Sequence, residues 1–374
     1  MKYIIEDLSG KVELYDKSLV NAIAKESNQS DVRLLLPGDG LLSLVPRKFK
    51  NSESFVKRAT KVIEGLLNYC RILITTKAKA ASVLHLQWLP FMEINGWEIP
   101  ILKLIRKVSP KTKIILTIHN VYPHNMSDNA KKSYNIRFRK ACELIDEYIV
   151  HTEISKQDVI NEFGLDPQKV SVCYHGVFVP EGVIPKVTNR EDGKLHILQF
   201  GGQSFYKGTD VLVDAVCGMD RSMQDKIETH IVGGISEKFL NELKEKDKDG
   251  IITWKPYFLD DKELYEEINN SDMIVLPYRA ISQSGVLLLS IYFGKLIICS
   301  DLPSFKETMQ GVEGEGLDND LFFKNEDSES LRTLIQRYIN KEVDEEKVHK
   351  RISRLKDLYS WESAAKATLQ VYNK

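Results

Sequence analysis

Residues Leu276 to Glu307 read LPYRAISQSGVLLLSIYFGKLIICSDLPSFKE, and the rest of the chain is best read outward from them. Asp272 to Leu276 (DMIVL) is an apolar run of strand length, stopped by Pro277 and the RAISQ segment. Ser284-Gly285 opens an apolar helix that ends at Gly294, and Leu296 to Cys299 is a second buried strand. This pattern predicts one βαβ unit. The first N–H groups of a helix have no partner within it and sit at its positive end, and a Ser-Gly start leaves them open to a phosphate. The competing reading is an ordinary buried crossover helix that binds nothing.

The same βα rhythm extends upstream. His196 to Phe200 is a strand, Gly201-Gly202 and Lys207-Gly208 lie in the loop after it, and Asp210 to Val216 is a helix. Thr229 to Val232 is a strand ending in Gly233-Gly234; Ile251 to Trp254 is a strand and Glu263 to Asn269 a helix. Val179 to Lys194 is polar, holds two prolines and two glycines, and reads as a linker. Before it come strands at Lys2–Ile5, Asp31–Leu36, Val83–Trp88, Lys113–Ile118, Glu147–His151 and Val170–Tyr174, with helices between. Two parallel sheets covered on both faces follow, in an α/β fold of two doubly wound domains.

With 374 residues the chain can bury two full cores, and 28% charged against 43% apolar residues is a globular balance. A net charge of −1 argues against a nucleic-acid partner for the molecule as a whole. Cys70, Cys142, Cys173, Cys217 and Cys299 are scattered without metal spacing, which suits reduced thiols in a cytosolic protein. Glu6 and Asp7 argue against a signal peptide, and no segment has the length of a membrane span. Arg47 to Lys79 carries nine Lys and Arg against Glu53 and Glu64, with Phe55, Ala59, Val62, Ile63, Leu66, Leu67 and Cys70 at helical spacing. It reads either as a surface helix with that apolar face in the core, or as an edge that also meets anionic lipid at the inner face of the cell membrane.

Three turns of the second half are candidates for a phosphate: Gly201-Gly202 with Lys207, Gly233-Gly234, and Ser284-Gly285. Glycine permits close backbone approach and lysine supplies a point charge. No G-x-x-x-x-G-K-[ST], G-x-G-x-x-G or G-x-S-x-G is present. In the first half Trp88 and His119 lie just past strand ends, where open α/β sheets bind ligands, and His85, His119 and His124 group around two of those ends. Asp318-Asn319-Asp320 spells a D-x-D but reads as a solvated loop.

The ordered set HLQW, LTIHN, HGVF, FGG…KGTDVL, LPY…QSGVLLLSIYFGK, F-K-E and YSWESAA…Y resembles the family-4 glycosyltransferases over nearly the whole chain. The resemblance implies the GT-B fold, two Rossmann-like domains facing each other across a cleft. It implies residues 1–180, completed by a C-terminal helix at 360–374, as the acceptor domain and 190–358 as the nucleotide-sugar domain. It implies retaining hexose transfer from a UDP- or GDP-linked donor, without metal or cofactor, to a saccharide or lipid-linked saccharide in surface polysaccharide or glycoconjugate synthesis. Carried over by position, Lys207 matches the lysine on the donor diphosphate, and His119 the histidine near the reacting sugar. Gly285 matches the glycine whose helix-start amides meet sugar or phosphate, and Glu307 an acidic residue late in the motif region. The donor set is then Gly201, Gly202, Lys207, Gly233, Ser282, Ser284, Gly285, Val286 and Glu307; Trp88, Asn120 and His124 face the acceptor. Gly202 stands where the family often has arginine, and Ser282 and Ser290 where it often has two glutamates, as in a branch with a QSG turn. Two other classes stay open: a non-catalytic partner that binds a nucleotide sugar without turnover, and a sugar-nucleotide epimerase.

Overall fold

The structure, a computed structural model, describes residues 2–10, 12–27, 31–44, 55–123, 126–178, 182–186, 192–281, 284–310 and 318–374. Two expected site residues, Ser282 and His124, lie outside them, as do residues 47–54 of the basic stretch. The chain divides into two compact units: Met1–Gly176 with Ser360–Lys374, and Val177–Tyr359.

The first unit runs β1 (Lys2–Glu6), α1 (Glu13–Glu26), β2 (Asp31–Pro37), β3 (Gly40–Leu41), α2 (Phe55–Ala78), β4 (Val83–Leu86), α3 (Glu98–Val108), β5 (Lys113–Thr117), α4 (Asp128–Cys142), β6 (Glu147–Val150), α5 (Glu153–Phe163) and β7 (Val170–Val172). Its sheet order is β3-β2-β1-β4-β5-β6-β7, with every strand pair parallel. Alternate side chains serve opposite faces. Ile4, Leu84 and Ile114 enter one core, while Tyr3, Ile5, Val83 and Ile115 enter the other. That second core is closed by Leu19 and Ile23 of α1 and by Ala365, Val371 and Tyr372 from the chain's last helix. Each of the larger side chains contributes on the order of 2 kcal/mol by leaving water.

The second unit runs β8 (Leu195–Phe200), α6 (Thr209–Cys217), α7 (Arg221–Gln224), β9 (Ile227–Val232), α8 (Glu237–Lys244), β10 (Ile252–Lys255), α9 (Asp261–Asn269), β11 (Met273–Leu276), α10 (Gly285–Tyr292), β12 (Leu296–Ser300), α11 (Pro303–Gln310), α12 (Asp318–Leu321), β13 (Phe322–Phe323), α13 (Ser328–Ile339) and α14 (Glu345–Leu358), and α15 (Trp361–Asn373) then returns to the first unit. The sheet order is β10-β9-β8-β11-β12-β13, again all parallel. The strand order reverses beside β1/β4 in the first unit and beside β8/β11 in the second, which opens a crevice at the carboxyl end of each sheet.

Two expectations change. Of the expected stripe, Val62 packs on the core, the Phe55 and Ala59 side chains lie outside the described ones, and Ile63, Leu66, Leu67 and Cys70 are exposed; the inward face is instead built on Gly65, Asn68, Tyr69, Ile72 and Thr76. Gly65 and Asn68 explain the shift, because neither scores as apolar. A Cβ on Gly65 would stand 2.3 Å from the Phe91 ring, and Asn68 accepts from the Leu42 N–H at 2.6 Å and donates to its carbonyl at 3.0 Å. The D-x-D segment is not a loop: Asp318–Leu321 is one helical turn. Asp320 is held by Arg337 at 2.7 Å, a structural ion pair. The helices α3 and α8 were not legible as separate elements.

Candidate active site

In the second unit the strand-end glycines meet. Gly233 has φ 132°, and a Cβ there would lie 1.9 Å from the Gly201 carbonyl oxygen, so glycine alone lets the two turns touch. Gln203 knits them: its backbone N–H donates to Gly234 O at 2.8 Å, and its amide donates to Gly201 O at 2.8 Å and Val232 O at 3.1 Å. A Cβ on Gly201 would meet Val286 Cγ2 at 3.3 Å, which sets both turns beside the start of α10. Ser284 is the N-cap of that helix and accepts from the Leu287 N–H at 3.2 Å. One early amide is therefore covered, contrary to the open Ser-Gly start expected; at Gly285 a Cβ would meet no described atom within 4 Å. Gly202 sits beside the exposed Phe258 ring.

Lys207 reaches the same place through a clamped loop. Gly208, at φ 64°, lies so close to Pro277 that a Cβ would fall 1.7 Å from its carbonyl oxygen. Arg279 donates its backbone N–H to Tyr206 O at 2.8 Å, grips Asp210 with two bonds of 2.9 and 2.8 Å, and covers the Phe205 ring at 3.9 Å. Lys207 Nζ then donates to the Tyr278 hydroxyl at 2.7 Å and stands 4.0 Å from that ring's centroid. The Tyr278 hydroxyl also meets the Ser284 side chain, so Lys207, Tyr278 and the cap of α10 form one chain. Burial lowers the Lys207 ammonium to a pKa of about 8. Ser290 is turned away: it is buried, and its hydroxyl donates to Val286 O at 2.8 Å within the helix. Glu307 lies half-buried on α11, which Ser304 ties to Ile281 O at 2.7 Å. Arg279, Gln203 and Tyr278 were not singled out in the sequence; Tyr278 and Arg279 stand directly after Pro277 in the opening stretch.

In the first unit a ring cluster occupies the carboxyl edge. Half-buried His119 follows β5, with Trp88 stacked on it at 6.1 Å and Tyr15 edge-on at 5.1 Å. His119 Nε2 faces Gln87 Oε1 at 3.2 Å and its Nδ1 faces His151 Nε2 at 3.2 Å. His151 Nδ1 donates to Cys173 O at 2.9 Å. His175 and Trp361 complete the ring around Tyr15. His85, by contrast, is fully buried between Tyr372 (2.8 Å) and Thr117 (2.7 Å). Burial, then neighbouring histidines, pushes the basicity of His119 far down and those of His85 and His151 to about 3, so all three rings are neutral. His151 and His175 were missed, although each follows a strand end as His119 does. Asn120, exposed, lines the same small pocket as Gln87, Trp88 and His119.

Beneath this edge, carboxyls are buried too. Desolvation followed by Asp7 raises Glu6, and the same causes raise Asp16 to about 8; burial raises Glu98 to about 7. Elsewhere, Asp192, His196 and Glu228 bring ligand atoms within 4.8 Å of one another. Asp192 bonds one His196 nitrogen at 2.7 Å and Glu228 lies 3.8 Å from the other, a contact set that needs no ion. No helix among the described residues is long and apolar enough to cross a membrane.

A model described as Glycosyltransferase Family 4 matches residues 47–179, and one described as Glycosyl transferases group 1 matches 194–341. GDP-mannose:glycolipid 4-beta-D-mannosyltransferase of Xanthomonas campestris pv. campestris is 23% identical over 229 residues, covering 58% of this chain and 60% of that protein. The chain thus spans less than two thirds of that relative. A glycosyltransferase structure from Rickettsia africae ESF-5 shares the fold with a TM-score of 0.65 at 18% identity, covering 100% of this chain and 97% of the other. Anabaena HepE in complex with UDP does so at 0.62 and 15% identity, covering 100% and 99%. With tandem family models across most of its length and two all-parallel Rossmann-like sheets, the chain belongs with the GT-B glycosyltransferases of the group 1 and family 4 type.

Proposed function

We propose that the chain transfers a hexose-type sugar from a UDP- or GDP-linked donor to a saccharide or lipid-linked saccharide, with retention at the anomeric carbon and no bound metal, in making a surface polysaccharide or glycoconjugate. The observation that carries this is the convergence of Gly201, Gly233 and the serine-capped start of α10 with Lys207 on one sheet edge. Backbone amides and one desolvated ammonium suit a diphosphate that gains charge as it leaves. The relative named for GDP-mannose and the neighbour solved with UDP support a nucleotide-sugar donor in the second unit. On this reading the first unit takes the acceptor, with Trp88 and Asn120 beside His119. The exposed apolar residues of α2, flanked by Lys61, Arg71 and Lys77, make an anionic membrane the surface on which a lipid-linked acceptor is met.

A thermal-shift screen of UDP- and GDP-sugars tests the reading. A true donor at a hundred times its dissociation constant stabilises the protein by about 2.7 kcal/mol. No shift with any nucleotide sugar would sink the donor site. Retention is tested separately, by the anomeric configuration of the product; the mannosyltransferase relative is named for a β linkage. An inverted product would remove retention and leave transfer standing. The second reading, a binding partner without turnover, draws on Ser290, which offers no carboxylate and is sealed inside α10. Calorimetric binding with neither hydrolysis nor transfer would select it.

A further inference from the structure

We infer that His151 is a positioning residue that fixes His119 in its Nδ1–H form, so that His119 Nε2 presents a bare lone pair and receives a hydroxyl of the sugar substrate. This rests on the transferase reading for the identity of the ligand, and on hydrogen-bond geometry together with the neutrality of the buried rings for the proton positions.

The chain of bonds has one end that leaves no choice. The Cys173 carbonyl only accepts, and His151 Nδ1 lies 2.9 Å from it, so that nitrogen carries the hydrogen. His151 is fully buried and neutral, so its Nε2 is bare. The group 3.2 Å away, His119 Nδ1, must therefore donate. His119 is kept neutral by burial and by the neighbouring histidines, which leaves its Nε2 without a hydrogen. Free histidine prefers the other tautomer; a second residue selects this one.

The rest of the network closes in the same sense. The buried Gln87 amide is placed with its oxygen 3.2 Å from His119 Nε2 and its nitrogen 3.5 Å from His85 Nε2; with a bare His119 Nε2 the amide, whose two ends have nearly the same shape, must sit the other way round, its nitrogen donating to His119 and its oxygen accepting from His85. His85 then donates from Nε2 and accepts the Tyr372 hydroxyl at Nδ1. Protons run in one direction from Tyr372 in the last helix to Cys173 after β7, and His119 is the one half-buried member. At that point a ligand O–H can replace the Gln87 amide as donor. A carboxylate or phosphate oxygen cannot, because it would set lone pair against lone pair. The edge of the first unit therefore selects a neutral hydroxyl where an imidazolium would have selected an anion.

Nitrogen-15 histidine spectra of the intact protein near neutral pH test this without any substrate. The expected result is a protonated Nδ1 and a bare Nε2 for His119. A protonated Nε2, with or without a hydrogen on Nδ1, overturns the inference in the wild type itself. His151→Leu removes the acceptor and should return His119 to the Nε2–H form. His151→Gln restores both bonds, its amide nitrogen donating to Cys173 O and its oxygen accepting from His119, and should restore the wild-type spectrum. If His119 keeps its proton on Nδ1 in folded His151→Leu, His151 does not position it. Once a donor is in hand, His151→Leu should lower kcat by about tenfold or more and His151→Gln should recover most of it, since small misplacements in a reacting site are costly. Absence of transfer in every variant, wild type included, would count against the transferase reading and leave the spectra to decide the tautomer.

Discussion

At the carboxyl edge of the second unit the groups on offer are mostly backbone: two glycine turns that touch and a serine-capped helix start, with one lysine beside them. At the same edge of the first unit they are side chains: His119, His151, His175, Tyr15 and Trp88, above buried Glu6 and Asp16. One topology yields two surfaces because the residues after the strands differ. Glycine exposes amides, which attract anions whatever the pH. Buried imidazoles and carboxyls instead lose their charge to desolvation, and what remains is an uncharged hydrogen-bonding surface. On the proposed reading, the second unit's edge takes a diphosphate and the first unit's edge takes hydroxyls.

The sharpest way to break the contrast is to add a methyl group. Gly233→Ala puts a Cβ 1.9 Å from Gly201 O at a φ of 132°, so chemical denaturation should show a loss of more than about 3 kcal/mol. Gly285→Ala, at a position with no described atom within 4 Å, should keep stability or raise it by up to about 1 kcal/mol, since alanine is the better helix former. Its donor-induced thermal shift should nevertheless shrink. Equal donor binding in Gly285→Ala and wild type would mean the α10 amides are not the anion site.

Lys207 is the charged exception on the backbone-built edge. Lys207→Ala should cut transfer by roughly 100-fold or more while the protein stays folded. Burial holds its pKa near 8, below the ordinary lysine value of 10.5. The folded protein thus sheds this proton before the unfolded chain does, and Lys207 makes stability rise with pH between about 8 and 10.5. Donor affinity should move the opposite way and fall as pH rises through about 8. Calorimetric titration at pH 7 and pH 9.5 checks this; an affinity that does not change would remove Lys207 from the donor contact.

On the first unit's edge the pH effect on stability has the opposite sign. Asp16 has its carboxyl pKa raised from 3.8 to about 8, so the folded state keeps a proton that the unfolded chain releases. Stability from this group is full below about pH 4 and is lost as pH climbs toward 8. Asp16→Asn should be nearly neutral at pH 4 and stabilising by on the order of 1 kcal/mol or more at pH 8. Thermal melts of both proteins across that range decide it; parallel pH curves would mean Asp16 ionises normally.

The strands and the βαβ rhythm were legible because parallel strands buried on both faces leave continuous apolar runs such as MIVL and KIILT. Lys207, His119 and the three glycine turns were legible because each follows a strand end. The partners were not. Arg279 and Asp210 stand far apart in sequence, and their pairing depends on Gly208 seating the loop on Pro277. Likewise His85, grouped with His119 and His124 at the strand ends in the sequence, is a core hydrogen-bonding group whose partner Tyr372 comes from the far end of the chain. Which histidine faces outward depends on how far past its strand it stands, and composition does not carry that.

The α2 helix sets the smallest effect and extends the contrast to a third surface. Its seam mixes Gly65, Asn68 and Thr76 with Tyr69 and Ile72, and Ile63 (55% exposed) and Ile74 (65% exposed) face outward among Lys61, Arg71 and Lys77. Because both isoleucines face solvent, Ile63→Ser with Ile74→Ser should change stability by no more than about 0.5 kcal/mol. If the face docks on lipid, the same double change should weaken co-sedimentation with anionic vesicles and leave the response to neutral vesicles near zero. Added salt should weaken the wild type only in part, since screening reaches the lysines and arginine but not buried apolar area. Binding that salt abolishes completely would assign the attraction to charge alone, and no binding at low salt would leave the exposed stripe without a membrane role.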